Sequence, residues 1–575
     1  MSKLTTKEKE FAKKYSILQK TLIKIKSYFS EKYKDEWLDY FKNNPYNAME
    51  IDGFGFKRCD TIAMKIGFDE KHPFRIKAYV SYAVEKNSKG DTIVLLSKII
   101  DSIARDLLIL DKMLILTVIL ETGDDYVLLD GAHKSLTRKM IDNGNLPIYI
   151  TLYDWYQSEK FMYEWGKELS KTERVNKNQD IIDTVINNST LNAQQKDAVS
   201  RILDENFNLL IGSSGAGKTY TTNRIIEVLE KHNLTYCLLT PTGIASFNLS
   251  EKTKRESKTI HRKFYQEELI TTDYLIIDEF GMCGCNHINM LKSILPHKNK
   301  TRVIFIGDKY QLPSISAGDF LASVMNLINS GVINGNVFEL TEIMRASSSS
   351  FIPHLCNMFT GNRYFDASVM TKSDLKGVKF YDRELDLFHQ ISKIIKDNNW
   401  SFYDTCVIMA QRKGEYGCDA FNLYMQKLNK SEIFYKDKFK EFKKNDILMH
   451  IKNNMRLNIY NGELIEILEK DDDDCYRARR LYDSTIIEYD DDTLKEQVSL
   501  SYANSVHKVQ GSTIKNVIFV AIQEHSYMLS RNLVYVGMSR ASDNLVVICD
   551  KDTLVKSSYK NLTDKRKTFL NLLCK

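Results

Sequence analysis

The sequence predicts an α/β protein with two parallel-sheet domains in tandem, a mainly helical N-terminal domain and a small β insert in the second sheet domain. Two observations predict this fold. From Asn206 onwards, short apolar runs alternate with helical stretches, which is the pattern of strands buried on both faces of a parallel sheet. Residues 1–188 instead carry apolar side chains at three- and four-residue spacing within Lys- and Glu-rich stretches, as helices do.

The predicted strands fall into two sets along the chain. The first set comprises Phe207–Ile211, Tyr236–Leu239, Tyr274–Ile277 and Val303–Ile306, and the second comprises Cys406–Met409, Val517–Val520 and Leu545–Ile548. Residues 443–499 alternate apolar and polar side chains, which indicates the β insert. We therefore predict a helical domain at 1–188, a first sheet domain at 189–345, and a second at 346–442 and 500–575, with the insert at 443–499.

Composition is that of a globular protein, because 43% of the 575 residues are hydrophobic and 27% are charged. The net charge of +6 allows an anionic partner without requiring one. The N-terminus lacks the apolar stretch of a signal peptide, and the apolar segment 107–120 is shorter than the ~20 residues of a membrane span. The ten cysteines include no Cys-x-x-Cys pair. We expect a cytoplasmic protein with reduced thiols and no membrane partner.

A glycine-rich loop follows the first strand of the first set and precedes a helical stretch at 220–232. Its residues are Gly212, Ser213, Ser214, Gly215, Ala216, Gly217, Lys218 and Thr219. The glycines let backbone N–H groups approach phosphate oxygens, and the start of the helix adds partial positive charge. Lys218 is expected to neutralise the β- and γ-phosphates, and Thr219 to ligate Mg²⁺. The loop therefore predicts a site for ATP and Mg²⁺.

Two adjacent carboxylates, Asp278 and Glu279, end the strand Tyr274–Ile277. Asp278 is placed to hold the magnesium ion, partly through water. Glu279 lies beside it and can orient and deprotonate an attacking water molecule. Downstream of a phosphate loop, this pair predicts ATP hydrolysis.

Three further polar residues suggest that the site is shared between two domains. Gln311 follows another apolar strand and can sense the γ-phosphate. Arg345 and Arg540 come from separate segments, and together they suggest cations that spread charge away from the transferring phosphoryl group. Taken alone, each arginine also suits a surface salt bridge.

These motifs, taken in order, resemble the motif series of superfamily 1 helicases, and most closely the RecD-like members of subfamily 1B. The series runs from Leu191–Val199 through the phosphate loop, Thr240–Ala245, Thr259–Arg262, Asp278–Glu279, Gly307–Pro313, Leu340–Arg345 and Ser505–Ser512 to Leu533–Ala541. Phe442–Met449 resembles the entry to the SH3-like insert of that group. The resemblance covers about residues 190–550 and implies two RecA-like motor domains.

The resemblance also implies roles for individual residues. Gln195 would contact the adenine edge, Gln311 would couple the nucleotide state to DNA, and Arg345 and Arg540 would be arginine fingers. The residues expected to line the DNA groove are Thr242, His261, His507 and Lys508. The implied function is ATP-dependent, 5′-to-3′ movement along single-stranded DNA in replication, repair or recombination. The implied partners are single-stranded DNA, single-strand–duplex junctions and replication or recombination proteins, with the chain acting as a monomer.

A second match lies in the N-terminal region, at about residues 44–67. Asn44–Tyr46 followed by Gly53–Ala63 resembles a helix–hairpin–helix element of RecD-like helicases. Gly53 and Gly55 predict a tight turn whose N–H groups face a DNA phosphate, and Lys57 adds charge. The alternative is a helical turn that only packs the N-terminal domain.

One departure from the family concerns the β-hairpin that splits the duplex. Only the short stretch at about 262–272 is available for it, with Phe264 and Tyr265 as the candidate wedge. Strand separation is therefore less firmly implied than movement along DNA. Two alternatives stay open: a translocase that displaces proteins with little unwinding, and a DNA-binding loader switched by ATP.

Overall fold

The structure is a computed structural model that divides the chain into two compact units. It describes residues 4–51, 53–121, 125–129, 147–296, 300–343, 350–361, 364–372, 375–438, 440–454, 456–471, 475–481, 483–561 and 566–574. The first unit contains residues 1–160 and 567–573, and the second contains residues 161–566.

The first unit is mainly helical. Its helices are α1 (Thr6–Lys14), α2 (Gln19–Tyr33), α3 (Trp37–Asn43), α4 (Phe56–Lys65), α5 (Pro73–Ser88), α6 (Leu96–Asp106), α7 (Lys112–Glu121) and the first part of α8 (Tyr153–Leu169). Thr5 and Glu8 form a capping box at the start of α1, and Pro73 stands at the start of α5. Apolar side chains spaced along these helices, such as Leu22, Ile25 and Phe41, form one buried core.

A small antiparallel sheet and the end of the chain complete the first unit. The strands β1 (Val94–Leu95), β2 (Tyr126–Leu129) and β3 (Tyr149–Leu152) pair in the order β1-β3-β2. The backbone amides of Thr92 and Ile93 donate hydrogen bonds to the carbonyl of Lys567. Residues 567–573 thus pack in this unit, whereas the sequence predicts them in the second sheet domain. The reason is a long-range backbone pairing that no local pattern encodes.

The second unit begins with a six-stranded parallel sheet. Its strands are β4 (Phe207–Gly212), β5 (Tyr236–Thr240), β6 (Lys258–Thr259), β7 (Tyr274–Ile277), β8 (Arg302–Gly307) and β9 (Asn336–Leu340), in the order β6-β5-β7-β8-β4-β9. The accompanying helices are the remainder of α8, α9 (Gln179–Asn187), α10 (Ala193–Arg201), α11 (Lys218–Lys231), α12 (Gly243–Thr253), α13 (Ile260–Tyr265), α14 (Cys285–Ile294) and α15 (Phe320–Asn329). We call this sheet with its helices the first lobe.

A five-stranded parallel sheet forms the second lobe. Its strands are β10 (Val378–Asp382), β11 (Thr405–Met409), β19 (Ala503–Ser505), β20 (Ile514–Ala521) and β21 (Ala541–Cys549), in the order β10-β21-β20-β11-β19. Its helices are α16 (Ile352–Asn357), α17 (Leu387–Asp397), α18 (Cys418–Leu428), α20 (Arg531–Met538) and α21 (Lys551–Tyr559). Every residue of β4, β7 and β11 is buried, as expected for strands covered on both faces.

The insert is antiparallel throughout. The hairpin β12 (Ile433–Lys436) and β13 (Glu441–Lys443) precedes a sheet of β14 (Leu448–His450), β15 (Leu464–Lys470), β16 (Tyr476–Arg480), β17 (Ile486–Tyr489) and β18 (Val498–Leu500), with α19 (Asp491–Gln497) before β18. It has its own apolar core, which includes Leu448, Ile465 and Tyr489. Its SH3-like character remains a prediction.

The predicted α/β class with parallel sheets is confirmed. The seven predicted strands are present: Tyr274–Ile277 has the predicted bounds, and the other six are longer by up to four residues at an end. The strands β6, β9, β10 and β19 have no counterpart in the predicted sets. The last helix of the described chain is α22 (Phe569–Leu572), in the first unit. Of the helices in the described part, none combines the length and apolar character that a bilayer crossing requires. All ten cysteines are free thiols.

Candidate nucleotide site and nucleic-acid cleft

The order of the strands brings three motifs to one edge of the first sheet. The phosphate loop follows β4, Asp308 follows β8, and Asp278 follows β7, and these three strands are neighbours in the sheet. Because parallel strands end at the same edge, the loop and the two carboxylates are brought together. Segments from three separate parts of the sequence, at 212–219, 278 and 308, therefore form one site.

Backbone geometry explains the glycines of the phosphate loop. Gly215 and Gly217 have φ angles of +85° and +82°, in the left-handed region that side chains disfavour. A Cβ atom at Gly212 would lie 3.2 Å from the carbonyl oxygen of Leu340, so β4 and β9 approach closely there. Helix α11 begins at Lys218, directly after Gly217. The loop thus turns sharply into a helix start, as phosphate-binding loops do.

A cleft of about 470 Å³ lies beside this loop and is lined by both lobes. Most of the predicted ATP and catalytic residues line it, namely Gln195, Ser213, Ser214, Gly215, Gly217, Lys218, Thr219, Asp278, Glu279, Gln311 and Arg540. Gly212 and Ala216 are buried beneath the loop. Gly511, Ser512, Thr513 and Ser539 also line it from the second lobe. Arg345, the other predicted arginine finger, lies outside the described residues.

Lys218 is held by the phosphate loop itself. Its ammonium group donates hydrogen bonds to the carbonyl oxygens of Gly212 (2.6 Å) and Ser213 (3.2 Å), and lies 3.9 Å from Oδ2 of Asp308. The cation therefore sits at the junction of the loop and the end of β8. This placement suits the neutralisation of a polyphosphate.

Asp278 and Glu279 form a close acidic pair. Glu279 has a φ of +54°, and its backbone amide donates to Oδ1 of Asp278 at 2.8 Å. Burial raises the pKa of both carboxyl groups, and the charge of Asp278 raises the pKa of Glu279 further. Phe280, which follows the pair, is buried and stacks on Phe305 of β8 at 3.9 Å, which fixes the turn that carries the two carboxylates.

The oxygen donors at this edge fit a magnesium ion. The Thr219 hydroxyl and the Asp278 carboxylate line the same cleft, and hard oxygen ligands are those that Mg²⁺ prefers. A divalent cation beside two carboxylates whose pKa values are raised by burial would stabilise their ionised forms. Thr219 and Asp278 are therefore the residues that would hold it.

Gln195 is placed differently from the expectation of an adenine contact. Its side chain is fully buried, its Nε2 donates to the carbonyl of Ala216 (3.2 Å), and its Oε1 accepts from the amide of Asn192 (3.1 Å). Both ends of the amide are thus engaged with backbone groups. In this arrangement Gln195 supports the phosphate loop from below, and its adenine contact remains a prediction.

Two residues of the second lobe lie at or beside the predicted catalytic positions: Gln510 contacts Gln311, and Arg540 lines the nucleotide cleft. Oε1 of Gln311 accepts a hydrogen bond from Nε2 of Gln510 at 3.1 Å. The Arg540 guanidinium is buried and donates to the carbonyls of Val536 (3.0 Å) and Ser512 (3.1 Å). Arg540 therefore faces the nucleotide cleft from a position fixed by its own lobe.

Sequence reasoning missed three residues at this junction. Asp308, Gln510 and Tyr535 are buried, and hydrogen bonds link each of them to the other lobe. Each belongs to a motif segment that the sequence analysis quotes, so their polar side chains within apolar surroundings were the available signal. Their pairing across the lobes depends on the tertiary structure alone.

A second cleft, of about 420 Å³, crosses both lobes and the insert. Ile244, Phe247 and Asn248 line it from the first lobe, Lys508 and Phe402 from the second, and Met449 and Leu464 from the insert. Bases of a single strand stack on aromatic rings, and its phosphates are attracted to lysine side chains. This lining offers both kinds of group. Of the predicted DNA-groove residues, Lys508 lies in this lining.

The other three predicted groove residues lie elsewhere. Thr242 caps α12, its hydroxyl accepting from the amide of Ala245, and the adjacent Gly243 is packed against Tyr460 of the insert. The His261 ring is 5.1 Å from the ring of His287, and burial lowers the pKa of both. His507 is exposed on the second lobe. Their contact with DNA remains a prediction.

The predicted hairpin is present in the first unit. Residues 45–50 form a short 3₁₀ helix, Gly53 has a φ of +81°, and Gly55 directly precedes α4. Phe54 is buried beneath the turn, and the Arg58 guanidinium lies 4.0 Å from its ring. Gly53, Gly55 and Lys57 are exposed. The turn therefore presents backbone and positive charge to solvent, as a phosphate contact requires.

Known protein families match three parts of the chain. Residues 190–372 match the AAA domain, residues 7–93 the HHH domain of the ATP-dependent RecD2 DNA helicase, and residues 500–548 the UvrD-like helicase C-terminal domain. A Bacteroides Pif1 structure with bound single-stranded DNA is similar with a TM-score of 0.44 and 18% identity, over 64% of this chain and 94% of that one.

Two relatives extend the match. The ATP-dependent RecD2 DNA helicase of Deinococcus radiodurans is 27% identical over 61% of this chain, and the match spans 48% of that relative's length. The RecBCD enzyme subunit RecD of Buchnera aphidicola is 24% identical over 72% of this chain and 81% of its own. The family matches, the order of the motifs and these relatives together show that the chain is similar to the RecD-like helicases of superfamily 1B.

Proposed function

We propose that the chain is an ATP-dependent DNA helicase that moves 5′ to 3′ along single-stranded DNA. The observation that carries the proposal is a single cleft lined by Lys218 and Glu279 from one lobe and by Arg540 from the other. A nucleotide bound between the two lobes favours their closed arrangement. Hydrolysis of the nucleotide then allows the lobes to open. Repeated closing and opening would move the chain along a strand held by both lobes.

The residues divide the chemistry between them. The backbone amides of the phosphate loop and Lys218 would bind the phosphates of ATP. Bound Mg²⁺, held by Thr219 and Asp278, would neutralise charge on the phosphate oxygens. Glu279, beside the proposed Mg²⁺ ligand Asp278, would accept a proton from the attacking water. Arg540, from the second lobe, would stabilise charge on the transferring phosphoryl group, and the same role is proposed for Arg345.

DNA is the proposed polymer partner. Two of the matching families and both relatives carry helicase or RecD names, which supports DNA as the substrate. Replication, repair or recombination is the pathway we propose. The cleft lined by Phe247, Phe402 and Lys508 would hold the strand. The turn at Gly53, Gly55 and Lys57 would contact a DNA phosphate.

The test is ATP turnover by the full chain with and without single-stranded DNA, together with the Glu279→Gln variant. Multiple turnovers stimulated by DNA are expected, with turnover lost by about 10²- to 10⁴-fold in the variant and nucleotide binding retained. A single turnover per chain would instead identify an ATP-switched loader. A rate of hydrolysis that does not respond to DNA would refute the proposed motor function. Stronger stimulation by RNA would identify RNA, rather than DNA, as the polymer substrate.

A second candidate is a translocase that displaces bound proteins without unwinding. The observation that favours it is that α13 occupies residues 260–265 and that residues 266–273 contain no strand, so the place of the splitting hairpin is taken by a helix and a loop. Unwinding of a forked duplex with a 5′ tail, compared with streptavidin displacement from biotinylated single strands, separates the two. Displacement without unwinding would favour the translocase.

A further inference from the structure

The hydroxyl group of Tyr535 connects the second lobe to the phosphate loop. Tyr535 lies on α20, and its side chain is 1% exposed. Its Oη accepts a hydrogen bond from the backbone amide of Ser214 at 2.6 Å and donates one to Oδ2 of Asp308 at 2.6 Å. A single phenol from the second lobe thus contacts two elements of the first lobe's nucleotide site.

The same face of α20 makes a second contact with this region. Asn532, three residues before Tyr535 and so on the same side of the helix, donates to the carbonyl oxygens of Tyr310 (3.1 Å) and Gln311 (3.4 Å). Asp308 in turn accepts from the amide of Tyr310 at 3.0 Å. Helix α20 therefore contacts the segment 308–311 through two side chains, Asn532 and Tyr535. Arg540 follows shortly after the end of this helix.

Both partners of Tyr535 belong to the phosphate chemistry. The amide of Ser214 is one of the loop donors available to a polyphosphate, and Oδ2 of Asp308 also lies 3.9 Å from the Lys218 ammonium. Burial and the Asp308 charge raise the pKa of Tyr535, so its hydroxyl stays protonated and can donate to the carboxylate. A change in the phosphate site would alter both hydrogen bonds at once.

We propose that Tyr535 is a positioning residue that couples closure of the second lobe to the phosphate site, acting through Ser214 and Asp308. This inference rests on the proposed ATPase function. The hydroxyl holds α20, and with it Arg540, in register with the phosphate loop. It takes no part in bond breaking and contacts the nucleotide only through the loop.

The test compares Tyr535→Phe with wild type in the full chain. The ring that fills the buried site is kept, and only the hydroxyl is lost. We expect kcat for DNA-stimulated ATP hydrolysis to fall about tenfold, as the loss of a hydrogen bond to a charged partner implies. The affinity for a fluorescent ATP analogue, measured without hydrolysis, should change by less than about twofold. This split between kcat and binding is not expected from a general loss of folding.

Tyr274→Phe is the matched control. Tyr274 lies in the first lobe and has a buried hydroxyl with no hydrogen-bond partner in the described part of the chain. Its kcat should equal that of wild type. Asp308→Asn provides a second variant, which should also lower kcat. The double variant with Tyr535→Phe should reduce kcat by less than the product of the two single reductions, because the two residues act as one unit.

The outcomes separate the inference from the function beneath it. A Tyr535→Phe variant with wild-type kcat, or fully multiplicative effects with Asp308→Asn, overturns the coupling role while DNA-stimulated hydrolysis by wild type still stands. A wild-type chain that binds the analogue but hydrolyses no ATP overturns the proposed function, and the inference falls with it.

Discussion

Gln311 of the first lobe accepts a hydrogen bond from Gln510 of the second lobe at 3.1 Å, and both side chains are buried. Gln311 lines the nucleotide cleft, while Gln510 follows His507 and Lys508 in the segment that leads to the second cleft. This pair is therefore a direct physical connection between the candidate nucleotide site and the candidate DNA cleft.

Removing this connection should weaken the coupling between the two clefts. We expect Gln510→Ala to lower the DNA-stimulated rate of ATP hydrolysis about fivefold, since a hydrogen bond of this kind contributes about 1 kcal/mol. The measurement is steady-state turnover over a range of single-stranded DNA concentrations. Gln311→Ala combined with Gln510→Ala should cost little more than either alone, and strictly independent effects would contradict the coupling.

The second cleft should bind bases through its aromatic rings. Phe247→Ala is expected to weaken single-stranded DNA binding about tenfold, because stacking of one base on an aromatic ring contributes about 1–3 kcal/mol. Fluorescence anisotropy with a labelled oligonucleotide gives the affinity. The control is Tyr527→Ala, which removes an aromatic ring that is 67% exposed and outside this cleft. Equal losses in the two variants would argue against a strand in the cleft.

The hairpin of the first unit should contribute one phosphate contact. Lys57→Ala is expected to make the dependence of log affinity on log salt concentration shallower by about 1 on duplex DNA, since each phosphate contact releases about one counterion. The measurement is DNA binding across a salt series. Lys9, exposed on α1 in the same unit, provides the control substitution to alanine. An unchanged slope for Lys57→Ala would leave the hairpin a purely structural turn.

A buried carboxyl group in the first unit predicts a pH dependence of stability. Oε2 of Glu159 accepts hydrogen bonds from the Thr92 hydroxyl (2.7 Å) and the Phe569 amide (3.0 Å), while Oε1 is buried and has no hydrogen-bond partner among the described residues. Burial raises the pKa of Glu159 to about 7 from its ordinary value of 4.5. The folded state therefore binds the proton more tightly than the unfolded chain does.

The resulting stabilisation is fully present below pH 4.5 and is lost as the pH rises through about 7. A shift of this size corresponds to about 3 kcal/mol in the free energy of unfolding. Glu159→Gln keeps an acceptor oxygen but cannot ionise, so its stability should change less with pH over this window. Urea unfolding on either side of neutral pH measures it, with the exposed Glu31→Gln as control. A pH dependence equal to that of wild type would contradict the assignment.

The phosphate loop and the strands around it could be predicted because their signals are local. Gly215 and Gly217 are required by their own backbone angles, and the apolar runs of β4, β7 and β8 mark strands buried on both faces. The short strand β6 and the edge strands β9, β10 and β19 were missed, because short or partly exposed strands carry weaker apolar patterns.

Local pattern by itself determined the class of fold, the phosphate loop and the order of the motifs, because each depends on a few consecutive residues. Only the tertiary structure decided that Gln195 is tied to Ala216 and Asn192, that Tyr535 reaches Ser214 and Asp308, and that residues 567–573 pack in the first unit. These are contacts between segments that can be hundreds of residues apart. They exist because buried polar groups must find partners, and the sequence does not state which partner the folded chain brings within reach.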